Sequence, residues 1–251
     1  MLIPLFVCGR YTHRYTWEQV HRLLTLTSPP IEIPARYNVA PSQDAPVARA
    51  DDGGGRRLNM LRWGLVPSWA EDTGIASSLI NARAETVASK PAFRAAFKKR
   101  RCLVPVSGFY EWTRHAEEPK ESGLFGKVAS GAKPVKRPFY ITLADEEPMV
   151  FAGLWESWHD PAAGKDAPAL ETFTIVTTGP NEMIAKFHDR MPVVLDRADF
   201  DRWLDPEADT DALTALLRPY PAELMMAQPV SNRVNSPKHD DQGCVQSPTD
   251  P

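Results

Sequence analysis

Apolar positions in this chain come in short clusters, and each cluster has its own period. Thr16 followed three residues later by Gln19 reads as a capping box, and Val20, Leu23 and Leu24 then repeat on one helical face until Pro29 and Pro30 stop it. Residues 45–63 alternate instead and are broken by Asp51-Asp52-Gly53-Gly54-Gly55, which predicts a hairpin whose second arm ends at Trp63-Gly64. Pro91 in a first helical turn, with Phe93, Ala96 and Phe97 on one face, predicts a short helix that runs through basic residues 98–101 into a buried strand at 102–106. Further strands fall at 139–143, 149–154 and 173–177. Asn181 caps a brief helix bearing Met183, Ile184 and Phe187, which sets His188 at its C-terminal end. Residues 192–195 read as extended, and two amphipathic helices, near 198–204 and 211–217, precede a last strand near 224–230.

Residues 115–136, rich in Glu, Lys, Gly, Ser and Pro without a period, read as a mobile loop, and 237–251 as a disordered tail. That leaves one domain over 8–236. Twenty-four prolines against 14 glycines argue against a helical bundle. The expected class is α+β: a compact, β-rich domain of mainly antiparallel strands with short peripheral helices.

With 251 residues, 43% of them hydrophobic, the chain can bury a substantial core. Its 29 Lys and Arg against 32 Asp and Glu leave a net charge of -3, so no global positive field draws it to nucleic acid, and any DNA contact must use a local patch. No apolar run approaches the roughly 18 residues of a membrane span, and residues 1–7 lack the basic flank of an export signal. Cys8, Cys102 and Cys244 form neither a metal knuckle nor an even disulfide framework. The expected setting is the reducing cytoplasm, without metal or cofactor. Cys102 reads as strand core and Cys244 as a surface thiol.

Four polar groups stand in apolar or aromatic settings: Cys8, Asn81 after Leu79-Ile80, Glu111 in Gly108-Phe109-Tyr110-Glu111-Trp112, and His188 after Phe187. Taken singly, each has a plain structural role, since buried cysteines pack, asparagines cap turns, acids pair with arginine and lone histidines are mostly structural. Together, a thiol, an amide, a carboxylate and an imidazole point to nucleophilic catalysis. For DNA, Arg10 and Arg83 stand beside two of these residues. Asn38 and Pro41 lie in a proline-bounded loop, and Trp69 and Trp112 offer rings for unstacked bases. The tryptophans suit core packing equally well, and the basic run at 98–101 reads as a solvated helix end.

Six segments then occur in a telling order: Cys8-Gly9-Arg10-Tyr11-Thr12, Arg36-Tyr37-Asn38-Val39-Ala40-Pro41, Arg62-Trp63-Gly64-Leu65-Val66-Pro67-Ser68-Trp69, Asn81-Ala82-Arg83-Ala84-Glu85-Thr86, Gly108 to Trp112, and His188-Asp189-Arg190-Met191-Pro192. In this the chain closely resembles the SOS-response-associated peptidase family, from Cys8 to about Asn235. The resemblance implies a β-rich domain that senses abasic sites in single-stranded DNA and bonds to them covalently. Carried onto this sequence, Cys8 is the nucleophile, Asn81 the amide that orients it, Glu111 the acid and His188 the imidazole. It further implies that Glu111 takes the proton shed by the attacking amine, that His188 serves sugar-ring opening or strand scission, and that Asn81 holds the thiol or the intermediate.

The sequence departs from the family in one respect. The family's cysteine follows the initiator Met and becomes the mature N-terminus, whereas seven residues precede Cys8 here. A thiazolidine needs the amine and the thiol of one residue, and an internal cysteine offers only a planar, resonance-stabilised amide nitrogen. Val7 directly precedes Cys8, and a GTG codon read as an initiator would leave Cys8 free after Met removal; the other reading is an extension that is trimmed, in one version by the domain itself. A free α-amine, with a pKa near 7.7 to 8.0, is roughly 10 to 20% unprotonated at neutral pH, far more than a lysine. Beside this crosslinking enzyme with peptidase and lyase side activities stand two other classes: a thiol peptidase or amidase using internal Cys8 with His188 and Asn81, and a non-catalytic reader of modified or single-stranded DNA. The expected partner is single-stranded DNA containing abasic sites, met by a monomer that joins the nucleoid when DNA is damaged.

Overall fold

The computed structural model describes residues 8–51, 53–113, 136–164 and 166–248. The strands, in chain order, are β1 (Tyr11–His13), β2 (Arg36–Val39), β3 (Asp44–Ala50), β4 (Arg56–Trp63), β5 (Asn81–Arg83), β6 (Arg101–Val106), β7 (Gly108–Trp112), β8 (Pro138–Leu143), β9 (Met149–Trp158), β10 (Leu170–Thr178), β11 (Met191–Pro192) and β12 (Met225–Pro229). Short helices α1 (Trp17–Leu24), α2 (Arg94–Lys99), α3 (Phe200–Leu204) and α4 (Thr210–Thr214) lie between them. The expected α+β class, with mainly antiparallel strands, is what is seen.

Local chemistry explains several elements. The capping box of α1 forms in both directions, with Gln19 N–H donating to Thr16 Oγ1 and Thr16 N–H to Gln19 Oε1, and Thr25 ends the helix in the left-handed conformation. The β3–β4 hairpin turns where Asp51 Oδ1 accepts the amides of Gly53 and Gly55. The helix expected from Pro91 starts at Arg94. Its basic end is structural: Arg101 is buried and donates to the carbonyls of Phe97, Lys98 and Trp203, while Arg100 pairs with Glu156 and Lys99 with Glu207.

Two sheets result. One is antiparallel, in the order β12-β8-β7-β1-β2. The other runs β11-β10-β4-β3-β6-β9, and because β9 also pairs with β10, strands β3, β4, β10, β9 and β6 close on themselves as a small barrel. The alternation of β6 divides the core. Leu103 joins the helix side with Phe97 and Trp203, whereas Cys102 and Val104 join Tyr11, Trp63, Phe109 and Phe151 between barrel and sheet. Strand β10 reaches beyond the barrel, and its far half pairs with β5 on one side and β11 on the other.

The tail requires a correction. Far from being disordered, residues 237–248 pack along β2, an edge strand whose free amides need acceptors. Asp240 accepts Tyr37 N–H at 2.6 Å and Asn38 N–H at 2.8 Å and pairs with Arg36. Cys244 is buried with Tyr110, Tyr140 and Val234 rather than exposed. A polar stretch without period looks unstructured only while its partners are out of view. The loop expected at 115–136 lies outside the described residues except for Lys136, as do residues 1–7 and 249–251.

Candidate active site

Strands β1 and β7 pair with Tyr11 opposite Phe109 and Thr12 opposite Gly108, and the same register carried outward sets Gly9 opposite Glu111, one position from Cys8. The Cys8 N–H donates to Glu111 Oε1 at 2.7 Å. Cys8 enters the strand with φ at 46°, a left-handed turn that few residues other than glycine adopt. Neither side chain meets solvent to any extent, with Cys8 0% and Glu111 3% exposed. Burial, opposed by the Cys8 N–H bond and aided by the nearby Asp189 carboxylate, pushes Glu111 up to about 8. Burial, and after it Glu111, pushes the Cys8 thiol well above its usual range.

Strand β10 sets the other two groups. Asn81 lies opposite Ile175 and Arg83 opposite Thr177 on one side, while Pro192 lies opposite Thr177 on the other, so the 188–190 turn and β5 flank one strand. One flank reaches the Cys8 strand and the other the strand beside Glu111. The Trp63 ring lies 5.0 Å from Tyr11 and donates its Nε1–H to Ile80 O, next to Asn81. Phe187, next to His188, lies 4.8 Å from Phe139, which pairs opposite Glu111. Cys8, Ile80 and Phe187 share one apolar cluster. Of the four expected catalytic residues, Cys8 and Glu111 touch directly, while Asn81 and His188 each adjoin a residue, Ile80 and Phe187, that lines the same apolar cluster as Cys8.

The expected cap also forms, with Ile184 N–H donating to Asn181 Oδ1 at 2.9 Å. His188 Nδ1 lies 3.2 Å from Arg190 N and 2.8 Å from Asp189 Oδ1. A neutral ring with its proton on Nε2 accepts the Arg190 N–H, whereas an imidazolium donates Nδ1–H to Asp189. The site thus holds an imidazole with a partner for either charge state.

The expected DNA contacts divide. Trp69 is 59% exposed, Arg83 is exposed, and Pro41 edges an apolar cavity of about 530 Å³ floored by Trp63, Val66 and Ile80. Asn38 is the correction: it is buried and donates Nδ2–H to the carbonyls of Val234, Ser236 and His239 while accepting from Arg10. Arg10 also donates to Val234 O at 2.9 Å, and Trp112 to Asn235 Oδ1 at 2.7 Å. These three side chains, on β2 and β7 and just before β1, hold residues 234–239 against the sheet that carries Glu111.

Sequence reasoning missed Glu85 and Arg190, which pair between the Asn81 and His188 loops, and Asp189, which touches His188. All three stand inside the quoted motifs, but nothing local signals a contact across 105 residues. Among the described residues no group of three or more His, Cys, Asp or Glu is placed to hold a metal ion, and no helix is long and apolar enough to cross a membrane.

Comparison with known proteins adds the following. The family model described as SOS response associated peptidase (SRAP) matches residues 7–237. The abasic site processing protein YoqW of Bacillus subtilis is 39% identical over 244 residues, spanning 96% of this chain and 100% of that protein. The abasic site processing protein HMCES of Xenopus tropicalis is 30% identical over 223 residues, spanning 83% of this chain and 65% of its own length. A crystal structure of a protein from Bacteroides thetaiotaomicron superposes with a TM-score of 0.80 at 28% identity, covering 96% of this chain and 100% of that one.

Proposed function

Because the chain belongs to the SOS response associated peptidase family, we propose that it processes abasic sites in single-stranded DNA by bonding to them through Cys8 as a mature N-terminal residue. The observation that carries this is the 2.7 Å contact from the Cys8 backbone nitrogen to Glu111. It sets against a buried carboxylate the very atom that becomes an amine when residues 1–7 are absent. The family match opens at residue 7, one position ahead of Cys8, which supports that start.

Glu111 in its carboxylate form takes a proton from the Cys8 ammonium, and the freed amine attacks the aldehyde carbon of the open sugar. The carbinolamine loses one water, with a proton supplied by Glu111 or His188, to give an imine. The Cys8 sulfur then adds to the imine carbon while its proton passes to the nitrogen, closing the thiazolidine. The net change is cysteine plus aldehyde to ring plus water. Asn81 orients the sulfur or the intermediate. The same groups support two side activities: hydrolysis of the Val7–Cys8 peptide, which consumes one water, and strand scission, in which the imine loses a neighbouring carbon-bound proton and expels the 3′ phosphate. Trp69, Pro41 and Arg83 receive the strand. The enzyme works as a monomer in the cytoplasm.

A thiol hydrolase needs a thiol whose pKa is depressed, and here burial and Glu111 act in the opposite sense. The test uses three proteins: the full chain verified as untrimmed, the chain beginning at Cys8, and the latter with Cys8→Ser. Each is mixed with abasic single-stranded DNA at neutral pH and followed by denaturing gel and intact mass. The chain beginning at Cys8 is expected to give a stable adduct and Cys8→Ser only an imine that borohydride traps. Equal crosslinking by the untrimmed chain overturns the mechanism.

A further inference from the structure

Glu85 and Arg190 lie on the two loops that deliver the amide and the imidazole. After β5 the chain turns through Ala84, whose N–H donates to Thr177 O at 2.8 Å, and reaches Glu85. On the opposite flank of β10 the chain passes from His188 through Arg190 into β11, a strand of two residues. The Arg190 side chain crosses between the flanks. Its Nη1–H donates to Glu85 Oε1 at 2.6 Å, and its Nη2–H donates to Glu85 Oε2 at 2.8 Å and to Thr177 O at 2.6 Å. The arginine side of the fork is largely covered, with 16% of the Arg190 side chain exposed against 55% of Glu85, and this two-pronged geometry is one that lysine cannot copy.

Through its main chain, the same residue reaches the site. The Arg190 backbone nitrogen lies 3.2 Å from His188 Nδ1, the atom for which Asp189 competes from 2.8 Å. Whichever partner wins decides where a neutral ring keeps its proton. With Arg190 N–H in place the proton is on Nε2; with Asp189 alone it moves to Nδ1. The two-residue β11 is a short anchor for this turn, so the guanidinium fork is what ties it to β5.

We propose that the Glu85–Arg190 pair is a positioning latch: it ties the 188–190 turn across β10 to the Asn81 loop and holds His188 as the Nε2–H tautomer. Neither residue touches the reacting atoms; both act through His188. The proposal deepens the crosslinking function and rests on the proton-donating role given to His188 there.

The test compares wild type, Glu85→Gln, Arg190→Lys and the charge-exchanged Glu85→Arg/Arg190→Glu, all with Cys8 verified as the first residue. Nitrogen-15 spectra of the histidines, which need no DNA, report the His188 tautomer. Single-turnover crosslinking and affinity for undamaged single strands are measured beside them. Wild type is expected to show Nε2–H, and both single variants a shift toward Nδ1–H. Crosslinking in those variants should slow about tenfold, as for a displaced catalytic group, with strand affinity within about twofold. Charge exchange should restore the tautomer and most of the rate. An unchanged tautomer in Glu85→Gln overturns the latch. So does a variant that loses strand affinity and about 0.7 of its salt slope while crosslinking normally at saturating DNA, since Arg190 is then a phosphate contact. A wild type that shows the expected tautomer and makes no adduct sinks the crosslinking function and leaves the latch standing.

Discussion

The Cys8 nitrogen and Glu111 Oε1 meet at 2.7 Å across 103 residues of chain, in a place that water scarcely enters. In the untrimmed chain that nitrogen is an uncharged amide, and the carboxyl is held in its protonated form to about pH 8. As an amine, the nitrogen can carry a charge, and an ammonium at this distance favours the carboxylate. In the proposed mechanism the pair then shares one proton at neutral pH, the condition for delivering an unprotonated amine.

Glu111→Gln keeps the shape of the site and removes the proton acceptor. Crosslinking by the chain beginning at Cys8 is expected to slow by about 10²- to 10⁴-fold, and trimming of any leading residues to slow with it. Single-turnover gels over a range of pH would check this. A variant that stays folded and crosslinks at the wild-type rate removes Glu111 from the mechanism.

Stability should move the other way. Below pH 4.5 Glu111 is protonated in folded and unfolded chains alike. Between pH 4.5 and about 8 unfolding lets it ionise, so the protein loses stability as pH rises, and above about 8 that loss is complete. At roughly 1.4 kcal/mol per pKa unit this amounts to a few kcal/mol. Glu111→Gln in the untrimmed chain is therefore expected to melt higher than its parent, by a margin that widens from pH 5 to pH 8. The margin should shrink when Cys8 carries a free amine. Thermal melts at three pH values decide it.

His188→Ala should fail differently. Sugar-ring opening, strand scission and crosslink reversal are expected to slow by about 10²- to 10⁴-fold where proton donation limits them. Imine trapping on a substrate whose aldehyde is already open should be nearly normal. If ring opening is unaffected, the imidazole serves another step.

Arg83 and Arg10 were both expected at phosphate, and the structure separates them. Arg83→Ala should weaken binding to every single strand and lower the salt slope by about 0.7. Arg10→Ala should leave the slope alone and lower stability, because its guanidinium is bound to Asn38 and Val234. A salt titration of both variants exposes any error in this division.

Asn38→Ala removes the donor to three carbonyls of the 234–239 stretch and leaves them to find other partners. A loss of about 1 to 3 kcal/mol is expected. Hydrogen exchange should quicken at residues 232–248 before it does in the barrel strands. Uniform quickening would show that the segment is not held separately.

What could be read from the sequence was what a few neighbouring residues decide. Thr16 and Gln19 close their box, Asp51 turns its hairpin and Asn181 caps its turn through contacts within four positions. The four candidate residues could be named from motif order, but where the fold puts them could not. That depends on β10 pairing with β5 and β11 at once, on Trp63 reaching Tyr11 and on Phe187 reaching Phe139 opposite Glu111. Asn38 looked like a loop residue facing DNA because its partners lie about 200 positions on. The same distance hid Asp240 within an apparently featureless tail, and Cys244 was hidden because Tyr110 and Tyr140, against which it packs, lie more than 100 positions back.

The 232–248 segment also bears on how the protein comes into being. Domains generally fold as units while synthesis proceeds from the N-terminal side, and contacts of large sequence separation are late to form. Here the side chains that brace the Cys8 and Glu111 strands, Arg10, Asn38 and Trp112, wait for partners made 123 to 224 residues later. A ribosome that stalls before residue 234 therefore displays the cysteine, the acid and the imidazole on an unbraced site. The Cys8–Glu111 pair is thus braced only once nearly all of the polypeptide has been made.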